Sequence, residues 1–356
     1  YHSVTEPATQ GATTEACLEP PYDADPDVRQ PEVEFAAEDA IFLHGLNSSV
    51  PKGHILVFTV GKPEPVIQKD IDALSKSELR AHANEVRAAK LKELRNWAAL
   101  GCFRRVRRKH ARNLVDSRWV IRWKLVDGKK SIKARLTVRG FKDLQAGELE
   151  TYAGTASRWG QRLILSMVAL NKWELFSADV GSAFLKGLTF EELSKMTGEP
   201  TRIIEFDLPT GSTDILQELE GMSDFDPLIE VLQMLRPGFG LKDAPRLWRL
   251  RLDAALRKTG GQPLQSDKAI YQWRRDGKLV LIMSTHVDDF KGGGEIKIRT
   301  LVLDALRAEF GEIKVETKNF THCGIQHETV ESGININQRV YLQHLRIGAE
   351  GPLRQA

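Results

Sequence analysis

Apolar and polar positions alternate in a way that divides the chain into well-marked segments. Between residues 76 and 100, Leu79, Val86, Leu91, Leu94, Trp97 and Leu100 recur at helical spacing with Arg, Lys and Glu between them. This predicts a helix ending near Gly101. Trp119-Val120-Ile121-Arg122-Trp123-Lys124-Leu125-Val126 and Ser131-Ile132-Lys133-Ala134-Arg135-Leu136-Thr137-Val138-Arg139 are rich in strand formers and flank Asp127-Gly128, a turn pair. They predict a β-hairpin. Residues 161–171 carry the stripe of a buried helix, and residues 174–180 read as a strand entering Asp179. Residues 243–258 predict a helix with Pro245 in its first turn, where a missing N–H costs little. A second hairpin is expected from residues 270–273 and 278–285 around Asp276-Gly277, followed by an amphipathic helix over 295–310. Short strands are expected at 313–315, 323–327 and 333–336, and a closing helical turn at 339–345. The apolar runs 41–46 and 55–60 admit strands or a docked linker. Hairpins outnumber strand–helix–strand crossovers, so the expected class is α+β.

Composition narrows the picture. With 356 residues, 41% of them hydrophobic, the chain can build a core and two or three domains. No stretch approaches the ~18 consecutive apolar residues of a membrane-spanning helix, so no membrane partner is expected. Cys17, Cys102 and Cys323 are few and scattered, against a disulfide scaffold or a cysteine-rich zinc site. They fit a reducing, intracellular compartment, cytoplasmic or nuclear. The chain opens on Tyr1 and reads as a piece of something longer or an incomplete gene model.

The net charge of +3 conceals a strong segregation. Residues 1–40 hold ten acids, one Arg and several prolines, the composition of a disordered tail. Residues 104–142 hold fifteen Lys and Arg against Asp116 and Asp127. So much like charge on an ordered hairpin calls for a polyanion nearby, which points to nucleic acid or nucleotide phosphate. Residues 191–235 reverse the sign, with eleven acids against Lys195 and Arg202, and are expected to carry a helix or two on the periphery. The expected divisions are an acidic tail and linker over 1–75, the helix and basic hairpin over 76–160, a central region with the acidic insertion over 161–318, and a closing segment over 319–356.

The candidate chemistry centres on His286-Val287-Asp288-Asp289-Phe290, at the end of the apolar strand Leu279-Val280-Leu281-Ile282-Met283. Two adjacent carboxylates at a buried strand tip repel each other unless a cation neutralises them. Hard divalent ions such as Mg²⁺ take oxygen ligands and leave positions for phosphate oxygens. By itself an Asp-Asp pair is most often a turn with a helix cap. A third carboxylate, Asp179 in Ala178-Asp179-Val180-Gly181-Ser182-Ala183-Phe184-Leu185, changes that balance if the two strands are neighbours. Two-metal phosphoryl transfer uses such a cluster.

Four blocks in order resemble the reverse transcriptases of copia-type LTR retrotransposons. They are the basic hairpin, Asp179-Val180-Gly181-Ser182-Ala183-Phe184-Leu185-Lys186-Gly187, Phe239-Gly240-Leu241-Lys242-Asp243-Ala244-Pro245-Arg246-Leu247-Trp248, and His286-Val287-Asp288-Asp289. The resemblance covers roughly residues 94–345. It implies the fingers and palm of a right-hand polymerase, with an antiparallel palm sheet backed by helices. It further implies an RNA-directed DNA polymerase using two Mg²⁺ or Mn²⁺ ions, an RNA template, a DNA or RNA primer and dNTPs, alongside further retrotransposon polyprotein domains. Asp179, Asp288 and Asp289 match the catalytic, metal-binding carboxylates, with Val180 beside them. Lys124, Lys133 and Arg135 match the fingers positions that clamp the triphosphate. Phe184 matches the ring beneath the sugar, which excludes a 2′-hydroxyl. Phe239, Gly240 and Lys242 match the nucleotide grip, and Pro245, Arg246 and His286 match primer and template contacts.

Three departures qualify the likeness. His286 stands where the family has Tyr, and Phe239 and Asp243 stand where it has Tyr and Gln. Asp243 is expected to place negative charge near the template. No RNase H, integrase or protease block is seen, which leaves a second reading: a silent retroelement remnant that only binds nucleic acid.

Overall fold

The computed structural model describes residues 58–59, 73–126, 129–339, 342 and 346–347. The acidic stretch 1–40, the run 41–46, most of 55–60, Asp127-Gly128 and most of 339–345 lie outside the described residues. In chain order the elements used below are α1 (Lys76–Ala81), α2 (Ala83–Ala99), β1 (Phe103–Arg107), β2 (Leu114–Val115), β3 (Ser117–Val126), β4 (Lys129–Val138), α3 (Arg158–Leu170), β5 (Leu175–Val180), α4 (Phe190–Thr197), β6 (Glu205–Phe206), α5 (Thr213–Leu216) and β7 (Glu230–Met234). They continue with α6 (Ala244–Lys258), β8 (Gln262–Pro263), β9 (Ile270–Arg275), β10 (Lys278–His286), β11 (Asp289–Gly294), α7 (Ile296–Phe310), β12 (Ile313–Thr317), β13 (Asn319–His322), β14 (Ile325–Val330) and β15 (Gly333–Asn337). The class is α+β with antiparallel sheets. Among the described residues no helix is long and apolar enough to cross a membrane.

The central sheet has six strands in the order β12-β5-β11-β10-β9-β8, every neighbouring pair antiparallel. Successive side chains point to opposite faces. On one face Phe176, Ala178, Val180, Tyr271, Met283 and Phe290 pack beneath α6 and α7, against Trp248, Leu252, Val302, Leu306 and Phe310. On the other face Leu175, Ile270 and Ile282 pack against Ile164 and Val168 of α3 and against Phe320.

Strand β11 was not legible as a strand, because Lys291-Gly292-Gly293-Gly294 has little strand propensity. Its glycines are there for space. A Cβ on Gly293 would lie 2.4 Å from Val168 Cγ2, and one on Gly292 would lie 2.5 Å from the Ile282 carbonyl oxygen. Small residues let α3 and the neighbouring strand close on the sheet.

The basic hairpin forms as expected, paired from Ser117↔Val138 to Val126↔Lys129. The register puts Arg118, Arg122, Lys124, Lys129, Lys133 and Arg135 on one face. The other face carries Trp119, Leu136 and Val138, which join Leu94 and Trp97 of α2 in a second core. The expected single helix over 76–100 is two helices: α1 starts on a capping box at Ser75 and Glu78 and ends at His82, where the backbone leaves the helical conformation before α2.

The acidic segment is peripheral only in part: α4 is largely exposed beyond Phe190, but the rest is tied into the core. Its apolar residues Ile204, Phe206, Ile215, Leu216, Leu232 and Met234 are buried in that second core, and β7 pairs along β1. Its acids meet the first part of the basic stretch and one arginine of α2. Arg105 pairs with Asp224 and Glu230, both at 2.6 Å, Arg108 pairs with Asp207, and Arg87 pairs with Asp214 and Glu218. Part of the positive excess is therefore neutralised within the chain. Among the described residues, none of the six cations on the hairpin face forms an ion pair. All these elements lie within one compact unit, residues 59–346.

Candidate active site

The sheet register brings together the three aspartates, which are far apart in sequence. Asp179, the fifth residue of β5, lies opposite Asp289, the first residue of β11. Asp289 also faces His286 across the β10–β11 turn, leaving Val287 and Asp288 as the two-residue connection. The Val180 N–H donates to the Asp288 carbonyl at 3.1 Å, tying the turn to β5.

That turn is strained. Val287 has φ 55°, a left-handed conformation costly for a β-branched residue. It is held by the Trp248 indole N–H, which donates to the Val287 carbonyl at 2.6 Å. A two-residue hairpin with positive φ at its first turn position normally takes Gly there. Here the surrounding packing imposes the conformation on valine, and it fixes the direction in which the Asp288 side chain leaves the sheet.

One face of β11 shows why the carboxylates remain accessible. Gly293, Lys291 and Asp289 alternate onto the same face. Gly293 lies beneath Val168 of α3. Lys291 is buried, with its ammonium 3.2 Å from Nε2 of His327 on β14. The cover then ends, and Asp289, Asp179 and Asp288 are half-buried rather than enclosed.

Their electrostatics report mutual repulsion. Burial, then Asp288 and Asp179, push the Asp289 carboxyl up to about 6, and Asp179 shares a hydrogen bond with it. Asp288 is raised by burial and by Asp179, against Arg135 and His286. Burial lowers the basicity of the His286 ring, which Asp288 partly offsets. The donor set is all hard oxygen. Among the described residues no three such groups are gathered closely enough to enclose a metal ion on their own. Carboxylates that repel in pairs and leave an open side suit Mg²⁺, which retains several water or phosphate oxygens in its shell.

The basic residues converge on the same place. The Arg135 guanidinium lies 4.3 Å from the Phe239 ring centroid, and that ring lies 5.8 Å from Phe184, in the turn after β5. Lys133 is lowered by burial and by the nearby Arg135 and Lys124, with Glu93 and Asp179 opposing. Gly240 has φ 95°, and a Cβ there would lie 2.0 Å from the Val138 carbonyl oxygen. Only glycine lets this loop touch the end of β4. Lys242 is exposed. Pro245 lines a small cavity with Gly154, Trp248, Arg249, Thr285 and Val287. Arg246 forms an ion pair with Glu150.

Asp243 corrects an expectation. It is buried and paired with Arg202, so it does not present its charge to a template. The sequence reading also passed over Lys186, whose ammonium feels Asp179, and Lys291, His322 and His327, which are buried together beside the aspartates. Lys186 belongs to the segment Asp179–Gly187. The other three belong to strands whose pairing no local pattern specifies.

No family model matches the chain. Among solved structures it has a likeness to telomerase from Candida albicans in complex with a fragment of telomeric RNA, with TM-score 0.43 and 9% identity over 80% of this chain and 54% of that one. A second is apo telomerase from Candida tropicalis, with TM-score 0.37 and 8% identity over 70% and 60%. Likenesses of that strength carry no argument. In sequence the chain is 26% identical over 232 residues to the Retrovirus-related Pol polyprotein from transposon RE2 of Arabidopsis thaliana, covering 64% of this chain and 14% of the polyprotein. It is 24% identical over 229 residues to that from transposon TNT 1-94 of Nicotiana tabacum, covering 63% and 16%. The chain is thus similar, over nearly two thirds of its length, to a small part of transposon Pol polyproteins.

Proposed function

We propose that this chain is an RNA-directed DNA polymerase domain that adds deoxynucleotides to a primer 3′-hydroxyl. The observation that carries the reading is the register pairing of Asp179 with Asp289, beside Asp288, with Asp179 and Asp288 within electrostatic reach of Lys133 and Arg135 of the cationic hairpin. The sequence similarity to Pol polyproteins supports it. In this reading the central sheet is the palm and the hairpin the fingers. Asp179, Asp288 and Asp289, with the Val180 backbone beside them, would hold two Mg²⁺ or Mn²⁺ ions. Bound there, such ions lower the pKa of the attacking hydroxyl and neutralise charge on the leaving pyrophosphate.

The chain's own groups do the rest. Arg135, Lys133 and Lys124 bind the triphosphate of the incoming dNTP; the fork of Arg135 can grip two oxygens, and the lysines act as point charges. Phe239 stacks under Arg135 and keeps its guanidinium from swinging into solvent. Phe184 supports the sugar and leaves no room for a 2′-hydroxyl. Gly240 and Lys242, with Pro245 and Arg246, border the path of template and primer. His286, across the strand pair from Asp289, borders the primer end. The primer oxygen attacks the α-phosphorus in line, its proton passes to solvent water, the bond from the α-phosphorus to the bridging oxygen breaks, and pyrophosphate leaves on the opposite side.

Primer extension on an RNA template with dNTPs and Mg²⁺ or Mn²⁺ tests this. Extension by the wild-type chain and its loss in Asp288→Asn is the expected result. Binding of the hybrid without extension, equal in both proteins, would instead favour the silent-remnant reading.

A further inference from the structure

Arg202 lies far from the carboxylates in sequence and is one of two basic residues in the acidic segment. Its guanidinium is nevertheless almost completely buried. One arm, Nη1, bonds Asp243, and the other, Nη2, bonds Asp143. The three side chains are 6%, 2% and 1% exposed. The flat side of the guanidinium lies 5.1 Å from the Phe190 ring centroid. A fork that reaches two carboxylates at once is geometry that lysine cannot reproduce.

The two acids belong to different parts of the site. Asp243 is the N-cap of α6, directly after Phe239-Gly240-Leu241-Lys242. Asp143 closes the turn that follows β4, the strand carrying Lys133 and Arg135. It also accepts from Asn113 Nδ2 at 2.8 Å and from the Gln145 N–H at 3.0 Å. Asn113 in turn receives the Leu144 N–H at 3.0 Å and donates its own N–H to the buried Glu205 at 3.2 Å. Between the two anchors the backbones touch directly. The Val138 N–H donates to the Phe239 carbonyl at 2.8 Å, and a Cβ on Gly140 would lie 2.2 Å from the Gly240 carbonyl oxygen. Phe239 carries the stacked Arg135.

We propose that Arg202 is a positioning residue that fastens the Phe239–Asp243 loop to the base of the cationic hairpin and so sets the approach of Arg135 to the nucleotide. The proposal rests on the nucleotide-binding reading of Arg135. It also explains why this chain carries a buried Asp at position 243: one arm of Arg202 needs an anionic partner there. Nε of Arg202 and Oδ1 of Asp243 have no partner among the described residues, so the two arms are all that Arg202 adds to the direct backbone contact.

Arg202→Lys keeps the charge and loses the fork; Asp243→Asn keeps the shape and loses one anion. Both are compared with the wild type by amide hydrogen exchange and by dNTP kinetics. In both variants the Val138 amide should exchange about tenfold faster, while Met283 and Phe290 in the central sheet keep their wild-type protection. The KM for dNTP should rise about tenfold with kcat within about twofold. The exchange result does not depend on catalysis, so it stands if the wild type proves unable to extend a primer. Unchanged exchange at Val138 would overturn the proposal. So would equal acceleration at every amide, which marks a general structural role, or a fall in kcat with KM unchanged.

Discussion

The clearest quantitative consequence concerns salt. Counting sequence alone, residues 104–142 offer fifteen cations to a nucleic acid. The structure removes several. Arg105 and Arg108 are held by Asp224, Glu230 and Asp207, and Arg139 and Lys142 lie 3.2 and 3.1 Å from Asp116. Six cations share the open hairpin face: Arg118, Arg122, Lys124, Lys129, Lys133 and Arg135. With no dNTP bound, all six are free to meet the hybrid; if each neutralises one phosphate, log K should fall against log salt with a slope of about −5 for duplex, or about −4 for single strands. That is about a 10³-fold loss between roughly 50 and 200 mM salt. Fluorescence anisotropy with a labelled RNA–DNA hybrid over a KCl series measures the slope. Lys124→Gln should make it shallower by about 1. Arg105→Gln should leave the slope alone and lower the unfolding temperature, since it strands Asp224 and Glu230. A slope shallower than about −2, or one that responds to Arg105→Gln as much as to Lys124→Gln, would refute this division of the charges.

Other consequences follow from single residues. Val287→Gly relieves the positive-φ strain, a gain of about 1–2 kcal/mol offset by the chain entropy of glycine, and should net about 0.5–1 kcal/mol of stability while lowering kcat; denaturant titration beside single-turnover extension reads both. Because Asp289 is raised to about 6, the folded chain holds that proton more tightly than the unfolded chain, and the ionised form penalises folding above that pH. Without divalent ion, Asp289→Asn should therefore exceed the wild type in stability at pH 8 by about 1–2 kcal/mol, after allowance for partial exposure, with the difference closing towards pH 4. A less stable variant at pH 8 would contradict the repulsion argument. Arg135→Ala should raise the apparent KM for dNTP more than it weakens hybrid binding; steady-state kinetics and anisotropy together decide it.

How much of this was legible in the sequence depended on whether the signal was local. The basic hairpin was, because alternation and a turn pair occur together in residues 117–138, and the register follows from them. Asp179 and Asp288 could be singled out because each ends an apolar strand. That Asp179 faces Asp289 could not be read locally, since it depends on β11 pairing with β5 across more than a hundred residues. The triple glycine concealed β11, although the reason for those glycines is the packing that makes the site. In the acidic segment the dense charge hides the short apolar alternations Ile204/Phe206 and Leu232/Met234, and these are what bury it. Asp243 was judged by its sign, whereas its burial against Arg202 decides what it does.

If these carboxylates share divalent cations, Mn²⁺ titration followed by electron paramagnetic resonance will count the ions they hold. With an RNA–DNA hybrid and a non-hydrolysable dNTP analogue bound at pH 7.5, the wild type should take up two Mn²⁺. Asp179→Asn and Asp288→Asn should each lose that uptake while still binding the hybrid. Uptake unaffected by either substitution, or none in the wild type, would contradict the claim.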